Sequence, residues 1–155
     1  MGVVSKLLVD GAVGSAELIE PLQRLGLPAE KAHLDYGDVA FMGRGEGGAP
    51  LYIGVEFKKL GELVTSLRTG RFQGHQLLGM VHPDSGFDRR YLLVEGLFQH
   101  DEKGAAIFTH GRNSRPIKGA PNAVALEQEL LNIATRGGIT VVDRATRRDC
   151  LRWIL

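Results

Sequence analysis

The chain has 155 residues, 43% hydrophobic and 24% charged, with 19 Lys and Arg against 18 Asp and Glu for a net charge of +1. That length accommodates one domain with a real core, and no apolar run approaches the roughly 20 residues of a membrane span. The balanced charge excludes a global attraction to polyanions, leaving nucleic-acid contact to local clusters, and the lone Cys150 excludes an internal disulfide or a multi-cysteine zinc site.

Residues 1–10 are too short and too early charged for a signal peptide and read as a first strand over residues 3–9. A cytoplasmic or nucleoid-associated setting is the expectation, in keeping with single-cysteine usage. Ser15 stands as an N-cap before a helix carrying Leu18, Ile19, Leu22 and Leu25, which Gly26 and Pro28 end. Residues 33–42 read as a strand through Asp38. The glycine-rich stretch 43–50 reads as a flexible tip, since it lacks the Lys-Ser/Thr of a phosphate loop and no helix follows it. Residues 51–59 return as a strand, so a hairpin is predicted that brings Asp38 towards Glu56. Helices are predicted over 62–68 and 71–81, a buried strand over 91–95, and a loop-rich, locally basic segment over 100–121. A helix over 123–135, a strand over 139–142 and a closing helix over 145–155 complete an α/β pattern with helices on both faces of a sheet.

The chemistry concentrates in the hairpin. Residues at i and i+2 of a strand share a face, so Glu56 and Lys58 project together, and strand pairing would add Asp38. Two carboxylates and a lysine suit a divalent-metal phosphodiesterase: the carboxylates offer hard oxygen ligands to Mg²⁺ or Mn²⁺. Metal and lysine together stabilise charge at phosphorus and activate a water. On spacing alone, the solvated face of a half-buried strand explains the same residues.

The segment after the carboxylates adds a specific pattern. Gly37-Asp38, Glu56-Phe57-Lys58, Glu62-Leu63, Ser66-Leu67, Gly70-Arg71 and Gln76 stand in register with the nuclease domain of the XPF family of structure-specific DNA endonucleases. The chain resembles that family, a branch of the PD-(D/E)XK restriction-endonuclease-like superfamily. Leu8-Val9-Asp10 and residues 91–96 resemble its opening strand and a later strand ending in Glu-Gly, so the resemblance covers nearly the whole chain.

The resemblance implies a single nuclease domain over residues 1–155, with a central mixed β-sheet flanked by helices; the helix-hairpin-helix domain of many relatives is not expected in a chain of this length. It implies Asp38 and Glu56 as metal ligands, aided by the Val55 carbonyl, with Mg²⁺ or Mn²⁺ as cofactor. Lys58 and Glu62 would complete the catalytic set. Asp10, Arg71, Gln76, Arg112, Arg115 and Lys118 would support the site or contact DNA. The implied function is metal-dependent cleavage of branched or structured DNA in repair or recombination. Alternatives are a non-catalytic DNA-binding or scaffolding member of the same fold, and a nuclease that resembles Holliday-junction resolvases. DNA is the expected partner, with a homodimer paired through the last helices or a targeting partner besides, and with no membrane. Leu126, Leu130, Ile133, Trp153 and Ile154 in that region are expected mainly as core. Two departures stand out: Phe57 replaces the family's arginine in Glu-Arg-Lys, and Glu62 replaces its aspartate.

Overall fold

Strand β5 (Arg89–Glu95) lies deep in the sheet because Leu92, Leu93 and Val94 are apolar in succession, and all three are buried. A strand apolar on both faces must be covered on both, and alternation sends Leu93 to one core and Leu92 and Val94 to the other. The computed structural model describes residues 6–70, 77–110, 113–120 and 122–154.

Among the described residues, β1 (Leu7–Asp10), β2 (Ala29–Ala32), β3 (Val39–Arg44), β4 (Pro50–Lys59), β5 and a strand at Ile139–Arg144 form a six-stranded sheet. β1 pairs parallel with β2 and antiparallel with β3, β3 pairs antiparallel with β4, and β4 pairs parallel with β5. The sheet is therefore mixed, as expected. One face is covered by α1 (Ile19–Arg24) and by a helix at Arg147–Trp153, through Leu18, Leu22, Cys150, Leu151 and Ile154. The other is covered by α2 (Leu60–Arg68) and a helix at Ala123–Gly137, through Leu60, Leu63, Val64, Leu126 and Ile133. Each fully buried leucine contributes roughly 1.5–3 kcal/mol of transfer free energy.

The remaining elements follow in chain order: α3 (Leu77–Val81), β6 (Phe98–His100), β7 (Ala106–His110), β8 (Asn113–Pro116), α4 (Ala123–Gly137), β9 (Ile139–Arg144) and α5 (Arg147–Trp153). α4 starts where the Asn122 side-chain oxygen accepts the Ala125 N–H at 2.8 Å. It ends at Gly138, whose φ of 58° is left-handed. α5 is capped by Thr146, which accepts the Asp149 N–H and donates its hydroxyl to the Asp149 carboxylate.

Three expectations need correction. The segment 100–121, read as loop, holds most of a small antiparallel sheet in which Phe98 faces Phe108 across β6 and β7. Its strands are only three to five residues long, too short to announce themselves. The strand predicted over 33–42 starts only at Val39, and an edge strand of sequence AEKA precedes it. Ser15 makes no side-chain cap; a 3₁₀ turn at Ala16–Leu18 leads into α1 instead. Leu126, Ile133 and Ile154 are buried, as expected of core. No helix among the described residues is long and apolar enough to cross a membrane.

Candidate active site

Asp38 sits one residue before β3, where the chain turns tightly against β4. Gly37 makes the turn with φ of 77°, and a Cβ there would stand 3.2 Å from the Val55 carbonyl oxygen. Only glycine meets both demands without strain. The Asp38 N–H then donates to the Val55 carbonyl at 2.8 Å, while the Asp38 carbonyl accepts the Asp10 N–H at 2.9 Å. The side chain is fixed as firmly: Oδ2 accepts the Phe57 N–H at 2.7 Å and Oδ1 accepts the Ser15 hydroxyl at 2.5 Å. Each carboxylate oxygen keeps acceptor capacity beyond these bonds.

Glu56 and Lys58 share a face of β4, pairing in register with Leu92 and Val94 of β5. Glu56 is only 7% exposed, and its Oε1 lies 3.3 Å from the Lys58 Nζ. Burial first, and the Asp38 carboxylate second, push Glu56 from its ordinary 4.5 up to about 7, against the pull of the Lys58 ammonium and its hydrogen bond. A buried carboxylate held near neutrality beside a second carboxylate is a common signature of functional sites.

These three residues open into a cleft of about 600 Å³ that Asp10, Ser15, Glu17, Tyr36, Phe57, Lys59, Glu62 and Arg147 also line. Asp10 staples the cleft wall: its carboxylate accepts the N–H groups of Leu34 and Ala12, and the Leu34 bond leads in holding its pKa below the usual range. Glu62, exposed in the first turn of α2, borders both this cleft and a neighbouring groove of about 1000 Å³. Arg115 and Lys118 line that groove beside Lys58, Lys59 and Arg147. The Arg115 guanidinium lies 5.5 Å from the centre of the Phe108 ring. Arg71, Gln76 and Arg112 lie outside the described residues.

Ser15 and Arg147 at the site carried no functional reading in the sequence. Ser15, taken for a helix cap, hydrogen-bonds Asp38 instead. Arg147 arrives from α5 and stands over Phe57, with its guanidinium carbon 5.7 Å from the ring centre. No local signal marks either, because each reaches the cleft through a connection distant in sequence. The Val55 carbonyl accepts the Asp38 N–H, so as a ligand it would have only its second lone pair to offer.

Among the described residues no group of three or more His, Cys, Asp and Glu is clustered for a metal. The two carboxylates Asp38 and Glu56, close enough for each to act on the other's charge, are the donor type that a small hard cation takes. Mg²⁺ typically takes one or two protein carboxylates and completes its shell with water and substrate phosphate. A cation at this pair would also favour the ionised form that burial opposes in Glu56.

The ERCC4 domain matches residues 9–155. No curated protein matches the chain. Among solved structures, XPF from Aeropyrum pernix is similar at 17% identity with a TM-score of 0.63, over 96% of this chain and 61% of that one. XPF from Aeropyrum pernix in complex with DNA is similar at 17% identity with a TM-score of 0.65, over 96% of this chain and 60% of that one. The chain thus spans about 60% of the length of these structures, and at such identity the likeness is one of fold.

Proposed function

The chain belongs to the ERCC4-domain family, and from that premise we propose that it is a metal-dependent DNA endonuclease acting on branched or otherwise structured DNA. The observation that carries the reading is the convergence of Asp38, Glu56 and Lys58 in one cleft, with the first carboxylate tied to the strand bearing the other two groups. Similarity to an XPF whose structure includes DNA supports DNA as the substrate.

Asp38 and Glu56 would hold Mg²⁺ or Mn²⁺, which when bound supplies an acidified water and charge neutralisation at the phosphate. Lys58 reaches the same place with an ammonium whose donors point charge at a non-bridging phosphate oxygen as negative charge develops there. Water attacks phosphorus and gives up a proton to solvent, the bond to the leaving oxygen breaks and that oxygen takes a proton, and the products are a phosphate end and a hydroxyl end. Ser15 and the Phe57 N–H keep Asp38 from rotating away during this step. Glu62 serves as the outer carboxylate on the rim, and Arg115 and Lys118 would track the DNA backbone along the groove, each phosphate contact adding salt-sensitive affinity. Repair or recombination is the process such a substrate belongs to.

A panel of linear duplex, flap, fork and four-way-junction DNAs, incubated with Mg²⁺, Mn²⁺ or EDTA, tests the reading. Metal-dependent cuts confined to the branched substrates support it, and a preference for the four-way junction selects the resolvase-like variant. Phe57 in the arginine position favours the rival reading of a non-catalytic scaffold. Binding to every DNA without cleavage, together with no heat from Mg²⁺ or Mn²⁺ in calorimetry, would establish the scaffold.

A further inference from the structure

Phe57 lies on the face of β4 opposite Glu56 and Lys58, and its ring packs into the core that α5 covers. Arg147, the first residue of α5, places its guanidinium over that ring. Three restraints hold it there. Its Nε donates to Glu95 Oε2 at 3.1 Å, its Nη1 lies 4.0 Å from Glu17 Oε2, and the ring of Phe57 supports it from below. The 4.0 Å approach is an ion pair without a hydrogen bond, so among the described residues the terminal Nη groups keep their donors available.

The location matters as much as the restraint. Arg147 borders both the cleft of Asp38, Glu56 and Lys58 and the groove of Arg115 and Lys118, as do Lys58, Lys59 and Glu62. A chain of cations thus runs from the groove into the cleft, with Arg147 at the junction. Its side chain is 32% exposed, enough to meet a ligand and little enough to be preorganised. A planar guanidinium whose free edge opens on two joined clefts suits a phosphate oxygen pair.

We propose that Arg147 binds a DNA backbone phosphate at the junction of cleft and groove, supplying from α5 the guanidinium that position 57 does not provide. Glu95 holds the side chain through Nε and Glu17 faces Nη1, so each carboxylate both restrains the guanidinium and places a negative charge beside the phosphate site. This assignment rests on the DNA-nuclease reading above.

The rival is a pure brace, in which Arg147 only ties α5 to β5 through Glu95. The two differ in sign. DNA binding to a fork substrate is measured in EDTA over a series of salt concentrations for the wild type, Arg147→Met and Glu95→Gln, with thermal melts alongside. Arg147→Met is expected to weaken binding several-fold and to reduce the slope of log affinity against log salt by about one. Glu95→Gln is expected to tighten binding, because it removes a negative charge beside the phosphate site while its amide oxygen can still accept from Nε. A slope unchanged in Arg147→Met, or a Glu95→Gln that weakens binding in step with its melting temperature, overturns the assignment and leaves the nuclease reading standing. Should Arg147→Met fail to fold, Arg147→Lys, which keeps the charge and loses the planar fork, takes its place, and an affinity unchanged in it overturns the assignment. A wild type that neither binds nor cuts any DNA overturns both.

Discussion

Asp38 Oδ2 accepts the backbone N–H of Phe57 at 2.7 Å, so the first carboxylate of the site is fastened to the strand that presents the second. Phe57 lies between Glu56 and Lys58, so this hydrogen bond sets the position of Asp38 relative to both. The Ser15 hydroxyl secures the other oxygen of Asp38. The carboxylate is held by hydrogen bonds from two directions, which is the preorganisation a metal-assisted reaction requires.

Gly37→Ala tests the turn that aims Asp38. Its φ of 77° and the 3.2 Å approach of the Val55 oxygen make any side chain strained. The expected cost is about 1–3 kcal/mol in denaturant unfolding. Cleavage should fall further than that loss of folded protein explains, since the strain relaxes by moving Asp38. Retained stability together with retained cleavage would remove the turn from the account.

Ser15→Ala deletes the hydroxyl that donates to Asp38, at a position only 7% exposed. A hydrogen bond to a charged group is worth about 1.5–3 kcal/mol, and partners that orient a metal ligand typically change affinity 10–100-fold. The variant should stay folded and need 10-fold or more extra Mg²⁺ for half-maximal cleavage. Ser15→Thr, which keeps the hydroxyl, should recover part of the loss. An unchanged Mg²⁺ requirement in Ser15→Ala would show that the hydroxyl only fills space.

The raised pKa of Glu56 has a definite sign for stability. Below pH 4.5 both folded and unfolded chains carry the proton, and the group costs nothing. Between 4.5 and about 7 the unfolded chain releases the proton while the folded one keeps it. Stability from this group is thus lost as pH rises through that window and is constant above it. Glu56→Gln removes the titration. Its melting temperature should hold where the wild type declines from pH 5 to pH 8, so the variant gains on the wild type as pH rises. A parallel decline in the two proteins contradicts the assignment of the titrating group.

The hairpin is the part of the site that sequence order reveals. Asp38 immediately precedes one strand and Glu56 and Lys58 lie on the next, joined to it by a short polar tip, and pairing of neighbours in sequence is the simplest topology. The register that sets Val39 opposite Val55 follows from that connection. Strand β5 was legible for a related reason, since an apolar run of this length has nowhere to go but the middle of the sheet. Strands β2 and β8 were not. AEKA and NSRP are polar and largely exposed, and their strand form comes from the neighbours they pair with. Ser15 and Arg147 were hidden because crossover connections bring them in. A hydroxyl before a helix looks like a cap, and an arginine opening an amphipathic helix looks like a solvated charge. Only the folded arrangement sets one on Asp38 and the other on Phe57.

The central claim is that Asp38 and Lys58 perform metal-dependent phosphodiester cleavage, and one measurement bears on it most directly. Cleavage of a fork DNA in Mg²⁺ is followed for the wild type, Asp38→Ala and Lys58→Ala, each shown to be folded by circular dichroism. The account predicts cutting by the wild type that EDTA abolishes, and no detectable cutting by either variant while both remain folded. Undiminished cutting by either variant would contradict it.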